Sequence, residues 1–335
     1  MKPMILFSLI VFSFPSFAKT EKPKTTELTV YTSRKTHLIE PIFKAYTQKT
    51  GVKVKHINGK AGALIQKIKQ EGDKSPADIL ITVDAGNLGN AADLGLLMTM
   101  DSKTLVSQIP SQYRDKDNRW VGLSLRARTL FYDPKNVDAK ELKSYTDLAN
   151  EKWKGKLCLR TSRKVYNQSL VATMIQKMGE KKTKDVVKGW VNNLAMPVFT
   201  SDSLLLKAIA KGDCFVGIAN TYYLARLQKK GEAKNVKVFW PSSKEGGVHV
   251  NVSGAGIVKT SSQKAEAQKL LEWLTTKEAQ KLFAELNDEY PVVKGVSLSP
   301  TLKSWGEFAQ DKTPLGTIGP LQKKAVMLMD SVRYR

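Results

Sequence analysis

The sequence predicts an α/β protein of two lobes, each a mixed sheet flanked by helices, hinged by two crossing strands. Three observations predict it. From residue 27 to the low nineties, short apolar strands alternate with amphipathic helices, the pattern of a parallel sheet covered by helices. A second alternation of the same kind begins at residue 156. Two extended stretches, near 122–130 and 247–258, read as long crossings between the two units.

Each element has its own signal. ELTVY (27–31) alternates and then runs apolar, as a strand does. The TSRKT turn follows, and 37–50 carries Leu38, Ile42, Ala45 and Tyr46 at helical spacing. VKVKHI (52–57) alternates again, and 61–71 places Leu64, Ile65 and Ile68 on one helical face. DILITV (78–83) is nearly continuous apolar, the mark of a strand buried on both faces. Asp84 behind it is a candidate N-cap. In the second unit KLCLR (156–160) reads as a strand, and 165–178 and 184–194 as helices. Ser201 or Asp202 can cap the helix containing Leu204, Leu205 and Ile209. CFVGIA is a strand, 221–230 a helix and VKVFWP (236–241) a strand. Beyond HVNVSGAGIVK (249–259) come two amphipathic helices between 261 and 286, a Pro/Gly-marked loop and a final helix, 321–332.

Residues 1–18 read as an export signal rather than part of the fold. Lys2 gives the positive start, Ile5 to Phe14 the apolar run, and Ser16-Phe17-Ala18 a cleavage signal. That run is shorter than the roughly 20 residues a membrane span needs. The expectation is an exported chain cut after Ala18. The net charge of +23 falls by one with Lys2 and suggests attraction to anions. The Lys and Arg residues are spread along helix faces, among them Lys67, Lys177 and Lys188, with no basic arm interleaved with aromatics. That pattern, with export, argues against nucleic acid. Two cysteines, Cys158 and Cys214, in an oxidising compartment favour one disulfide. Each sits in a predicted strand; if those strands are neighbours, the bridge staples one lobe. No zinc-type His/Cys spacing, G-x-S-x-G or P-loop is present, and three histidines offer little general-base chemistry, so the chain does not read as an enzyme.

Tyr222 and Tyr223 stand side by side where the apolar run Cys214 to Ala219 gives way to a helical pattern. Such a pair is most often one core ring and one surface ring. At a strand-to-helix junction both can point into a crevice, and two deprotonated phenols there can hold a hard cation. Ligands of open α/β sheets bind at the carboxyl ends of strands. Tyr31 to Lys35, Asp84 to Asn87, Thr161 to Tyr166 and Asn220 to Tyr223 all lie at such ends.

Across nearly its whole length after the signal, the sequence resembles periplasmic ferric-iron-binding proteins, the solute-binding components of ABC-type iron(III) importers. The resemblance rests on VYTSR (30–34), SPADILITVDAGNL (75–88), RARTLFYDP (126–134), KWKGKLCLRTSRKVYNQSL (152–170) and GDCFVGIANTYYLARL (212–227). It implies a class II type periplasmic-binding-protein fold that closes on one ferric ion. The expected lobes are 26–124 with 252–300, and 125–251 with 301–335. It implies three metal ligands, Tyr166, Tyr222 and Tyr223, delivery to an inner-membrane ABC permease, and action as a monomer. The sequence departs from the family in the first lobe. Where several members carry a histidine, sometimes followed by a tyrosine, Lys35 and Thr36 stand here, and His37 lies two residues beyond. The first lobe is then expected to supply no protein ligand, with carbonate, another anion or water filling the vacancy.

Ferric iron is hard and triply charged, and suits anionic oxygen better than sulfur. Three phenolates would balance it in a desolvated cleft. Tyrosine titrates near pH 10, so binding near neutrality releases protons and weakens as pH falls. Arg34, Lys35, Arg126, Ser162 and Arg163 are candidate anion or water contacts. Arg128 shares a strand face with Arg126, so either can reach the cleft. Thr161-Ser162 precede the helix of Tyr166, and helix N-termini favour anions. The alternative is a binder of an organic anion or polyamine on the same fold, with the basic residues as principal ligands and the tyrosines as stacking walls.

Overall fold

The structure, a computed structural model, describes residues 26–335. The export signal expected at 1–18 lies outside the described residues. In the first lobe, β1 (Glu27–Thr32), α1 (Thr36–Thr50), β2 (Lys53–Asn58), α2 (Ala61–Glu71), β3 (Ile79–Thr82), α3 (Ala85–Asp93) and α4 (Lys103–Gln108) follow in order. Strand β1 pairs in parallel with both β2 and β3. The period of two decides which face each residue serves. Leu28, Val30, Ile79 and Ile81 pack with Ile39, Ile42 and Phe43 of α1 on one side. Tyr31 and Leu80 pack with Leu64, Ile65 and Ile68 of α2 on the other. Both faces are covered, which is why DILITV is nearly continuous apolar.

Strand β4 (Val121–Tyr132) carries the chain into the second lobe. There β5 (Leu157–Cys158), α5 (Val165–Met178), α6 (Glu180–Asn192), α7 (Asp202–Lys211), β6 (Val216–Asn220), α8 (Thr221–Lys229) and β7 (Lys237–Phe239) follow. Strand β8 (His249–Ile257) returns to the first lobe, where α9 (Lys264–Leu274) and α10 (Lys277–Asn287) pack. After α11 (Pro300–Ser304), α12 (Gln322–Ser331) lies on α5. The sheet order is β2-β1-β3-β8-β4-β6-β5, with β7 paired to β4. Strand β4 pairs antiparallel with β8 over Val121 to Arg128, then with β6 over Arg128 to Tyr132. Strand β8 pairs with β3 through Gly254 to Ile257. The two crossing strands thus fuse the lobe sheets into one hydrogen-bonded system. No described helix is long and apolar enough to cross a membrane.

Some details differ from the sequence reading. Only Leu157 and Cys158 of KLCLR pair as a strand, while Arg160 makes an isolated bridge to Phe199. Helices α4 and α11 escape the sequence reading because six and five residues span fewer than two turns. Of the two cap candidates, Ser201 accepts the Leu204 amide at 3.2 Å, and Asp202 turns inward to meet Arg128. Cys158 and Cys214 are bonded, with their Cα atoms 5.9 Å apart. Cys158 lies opposite Gly217 of the neighbouring strand β6. A Cβ on Gly217 would meet the Cys158 carbonyl oxygen and Leu205 Cδ2 at 2.8 Å each, so no side chain fits between these elements.

Candidate functional site

A cavity of about 480 Å³ opens between the lobes. The first lobe lines it with Ser33, Arg34, Lys35, Leu38, Val83 and Glu289. The second contributes Arg160, Lys164, Tyr166, Ser201, Ser203, Tyr222, Tyr223 and Arg226, and Arg126 reaches in from β4. Strand β6 ends at Asn220 and α8 begins at Thr221, so both adjacent tyrosines fall in the first helical turn. Their ring centroids are 4.3 Å apart, inclined at 37°. Tyr166 is the second residue of α5. All three phenols therefore sit at helix N-termini, where the macrodipole favours negative charge.

Cations surround these rings. The guanidinium carbon of Arg126 lies 5.4 Å from the Tyr166 centroid, that of Arg160 5.6 Å, and Lys164 Nζ 5.2 Å. Arg226 lies 4.8 Å from the Tyr222 centroid. Arg160 donates to the Tyr223 hydroxyl at 3.4 Å, and Asn220 to that of Tyr222 at 3.3 Å. Burial pushes Tyr166 above its ordinary value, against the opposing charge of Arg126. Burial and the neighbouring tyrosines push Tyr222 well up. Burial and Asp202 act upward on Tyr223 too, but hydrogen bonds with Tyr222 and Arg160, together with the Arg160 charge, bring it below its ordinary value. Tyr223 is thus the phenol most readily ionised before any ligand arrives.

The candidate anion contacts are placed very differently. Lys35 is exposed and lines the cavity. Arg126 also lines it, and its guanidinium donates to the Val83 carbonyl. Arg34 touches the cavity, but its guanidinium is spent on Glu289 at 3.1 Å and on Ser253 at 2.6 Å. Arg128 shares the Arg126 face as expected but points into the lobe, bonding Asp202, Asn220 and Asn167. Ser162 is buried away from the cavity lining, and it does not cap α5, whose N-cap is Lys164 without a side-chain bond. Arg163 and His37 are exposed and outside the lining. Sequence reasoning missed Arg160, Lys164, Arg226 and Glu289. A charge closing the apolar run LCLR was the available signal for Arg160; Glu289, in the polar NDEY turn, gave none.

Six basic side chains and one carboxylate line the cleft. Glu289 answers Arg34, and Asp202 is shared by Arg128 and Arg160. Among the described residues Lys35, Arg126, Lys164 and Arg226 have no acidic partner within salt-bridge distance, so the cleft attracts anions. Nor, among the described residues, does any group of three His, Cys, Asp or Glu side chains stand where it could hold a metal. Tyrosine oxygens are the donors this cleft offers a hard cation.

A profile of the family described as bacterial extracellular solute-binding protein matches residues 42–310. The chain is 38% identical to "Iron uptake protein A1" of Synechocystis, over 92% of this chain and 88% of that one. It superposes on a Trichodesmium protein (IdiA, FutA) solved "in complex with iron and citrate ligands" with a TM-score of 0.87 and 42% identity, covering 92% and 100% of the two chains. An apo ferric ion-binding protein A of Pasteurella haemolytica gives 0.86 and 39%, covering 92% and 98%.

Proposed function

Since this chain belongs to the bacterial extracellular solute-binding protein family, we propose that it is the periplasmic receptor that captures ferric iron for an ABC importer. The ion binds in the interlobe cleft through the phenolates of Tyr166, Tyr222 and Tyr223. One observation carries the reading: three tyrosines from two helix N-termini meet in one cation-rimmed cavity, in a chain closely similar to iron uptake proteins. The lobes that close are 26–124 with 252–300, and 125–251 with 301–335. Supporting that division, Leu125 lies opposite Val252 where β4 and β8 cross.

Three phenolates neutralise a ferric ion and leave coordination positions open. The unpaired cations of the cleft then call for a further anion, and Arg126, Lys164, Arg226 and Lys35 are placed to receive it. Carbonate and citrate both fit that charge. Arg160 donates to the Tyr223 hydroxyl and so favours its ionised form, while Tyr222 is the more deeply buried of the pair. The receptor acts as a monomer, is exported by the signal at 1–18 with cleavage after Ala18, and performs no catalysis of its own.

Competition titrations against a ferric chelator test the assignment. Tyr222→Phe or Tyr223→Phe should lower affinity more than ~100-fold, beyond the range of outer-shell substitutions. Lys35→Ala should cost about tenfold or less, as an outer contact does. Equal losses in all three variants would break the proposed ligand set.

A further inference from the structure

Asp84 is more than the cap of α3. A cap needs one oxygen to accept one amide, and Asp84 takes the Asn87 amide at 3.1 Å in that role. The same carboxylate, fully buried, also accepts from the Ser169 hydroxyl, from Asn251 Nδ2 at 2.7 Å and from Gln322 Nε2 at 2.8 Å. These partners belong to separate parts of the molecule. Ser169 is on α5, three residues beyond Tyr166 and so on the neighbouring helical position. Asn251 lies on the crossing strand β8 opposite Arg126, and its own oxygen accepts the Ala85 amide at 3.0 Å. Gln322 opens α12 and also reaches Ser169 at 3.2 Å. The Gln322 side chain lies close over Gly86, where a Cβ would stand 2.7 Å from its Cδ and push it aside.

We infer that Asp84 is a positioning residue for iron capture, tying the helix of Tyr166 to the first lobe at the hinge. The inference rests on the ferric reading of the cleft. Strands β4 and β8 also join the lobes, as do the Arg126–Val83 hydrogen bond and the Lys229–Asp288 ion pair. The Asp84 hub gives a short path from β3 to the first turns of α5, so Tyr166 keeps its register against the first lobe as the cleft closes. A carboxylate bonded this way is stronger than a neutral amide in its place, because hydrogen bonds to an ionised group are the stronger kind.

Ser169→Ala removes the link to α5 and leaves the α3 cap intact. Ferric protein carrying it should lose iron to a chelator about tenfold faster, the size of one hydrogen bond to a charged group. Its phenolate-to-iron absorption band should shift in position. Asp84→Asn should do the same more strongly, and Gly86→Ala, which displaces Gln322, should do so more weakly. Ser102→Ala uncaps α4, whose cap lies outside the cleft lining. It should lower thermal stability and change neither readout. If Asp84→Asn does not fold, Ser169→Ala and Gly86→Ala decide. A normal wild-type band that stays unchanged, with unchanged release, in folded variants overturns the positioning role alone. A wild-type protein with no band overturns the ferric reading and this inference with it.

Discussion

Reducing the Cys158–Cys214 bond should cost the second lobe about 4 kcal/mol by the chain-entropy relation, given a sequence separation of 56. The closed loop holds α5, α6 and α7, and with them Tyr166, Arg160 and Asp202. Freed, those residues regain disorder in the unfolded chain, while the folded state keeps β5 beside β6 through packing around Gly217, Leu205 and Ile209. Urea unfolding of the metal-free protein, with and without reductant, measures the difference directly. A Cys158→Ser/Cys214→Ser double variant should reproduce the reduced curve. On heating, a loss of that size corresponds to a drop of about 10 °C. Identical midpoints for reduced and oxidised protein would refute the reasoning, showing that the bond constrains nothing the packing does not already hold.

Replacing Arg34 by Met should destabilise by about 3–5 kcal/mol, because Glu289, itself only 3% exposed, is left as an uncompensated buried charge. Adding Glu289→Leu should recover most of that loss in the same denaturation assay. His249 supplies a pH dependence. Burial pushes its imidazole down to about 4, Asp311 opposes this, and Arg128, Arg126 and Lys177 add to it. The folded state then binds fewer protons than the unfolded one between the ordinary value near 6.5 and about 4. Its contribution is complete above that window and is lost as pH falls through it, about 3 kcal/mol in all. Subtracting the stability profile of His249→Gln from that of the wild type should isolate this slope.

Much of the fold was legible because both lobes repeat strand and helix with clear periods. ELTVY declared a strand and DILITV one covered on both sides, and Asp84 and Ser201 marked helix starts. The tyrosine pair was legible too, since an apolar strand running directly into a helix exposes adjacent residues at one end. What the sequence hid is tertiary. Arg34 and Arg126 look alike as charges after or within strands, yet one finds Glu289 from 255 residues away and the other lines the cleft with no acidic partner. Arg126 and Arg128 alternate correctly, but only the lobe geometry decides that one faces the cavity and the other Asp202. Ser162 looked like an anion contact at the start of α5, yet it is buried outside the cavity lining. The Asp84 hub was visible only as a cap, because its partners come from three distant segments.

The visible absorption spectrum of the purified protein, after loading with ferric citrate and removal of the excess, tests the central claim most directly. The account predicts a phenolate-to-iron band that bleaches on acidification and is lost in Tyr222→Phe and Tyr223→Phe. A colourless protein that retains no iron would contradict it, and would leave the cations of the cleft as the site of an organic anion with the tyrosines as its walls.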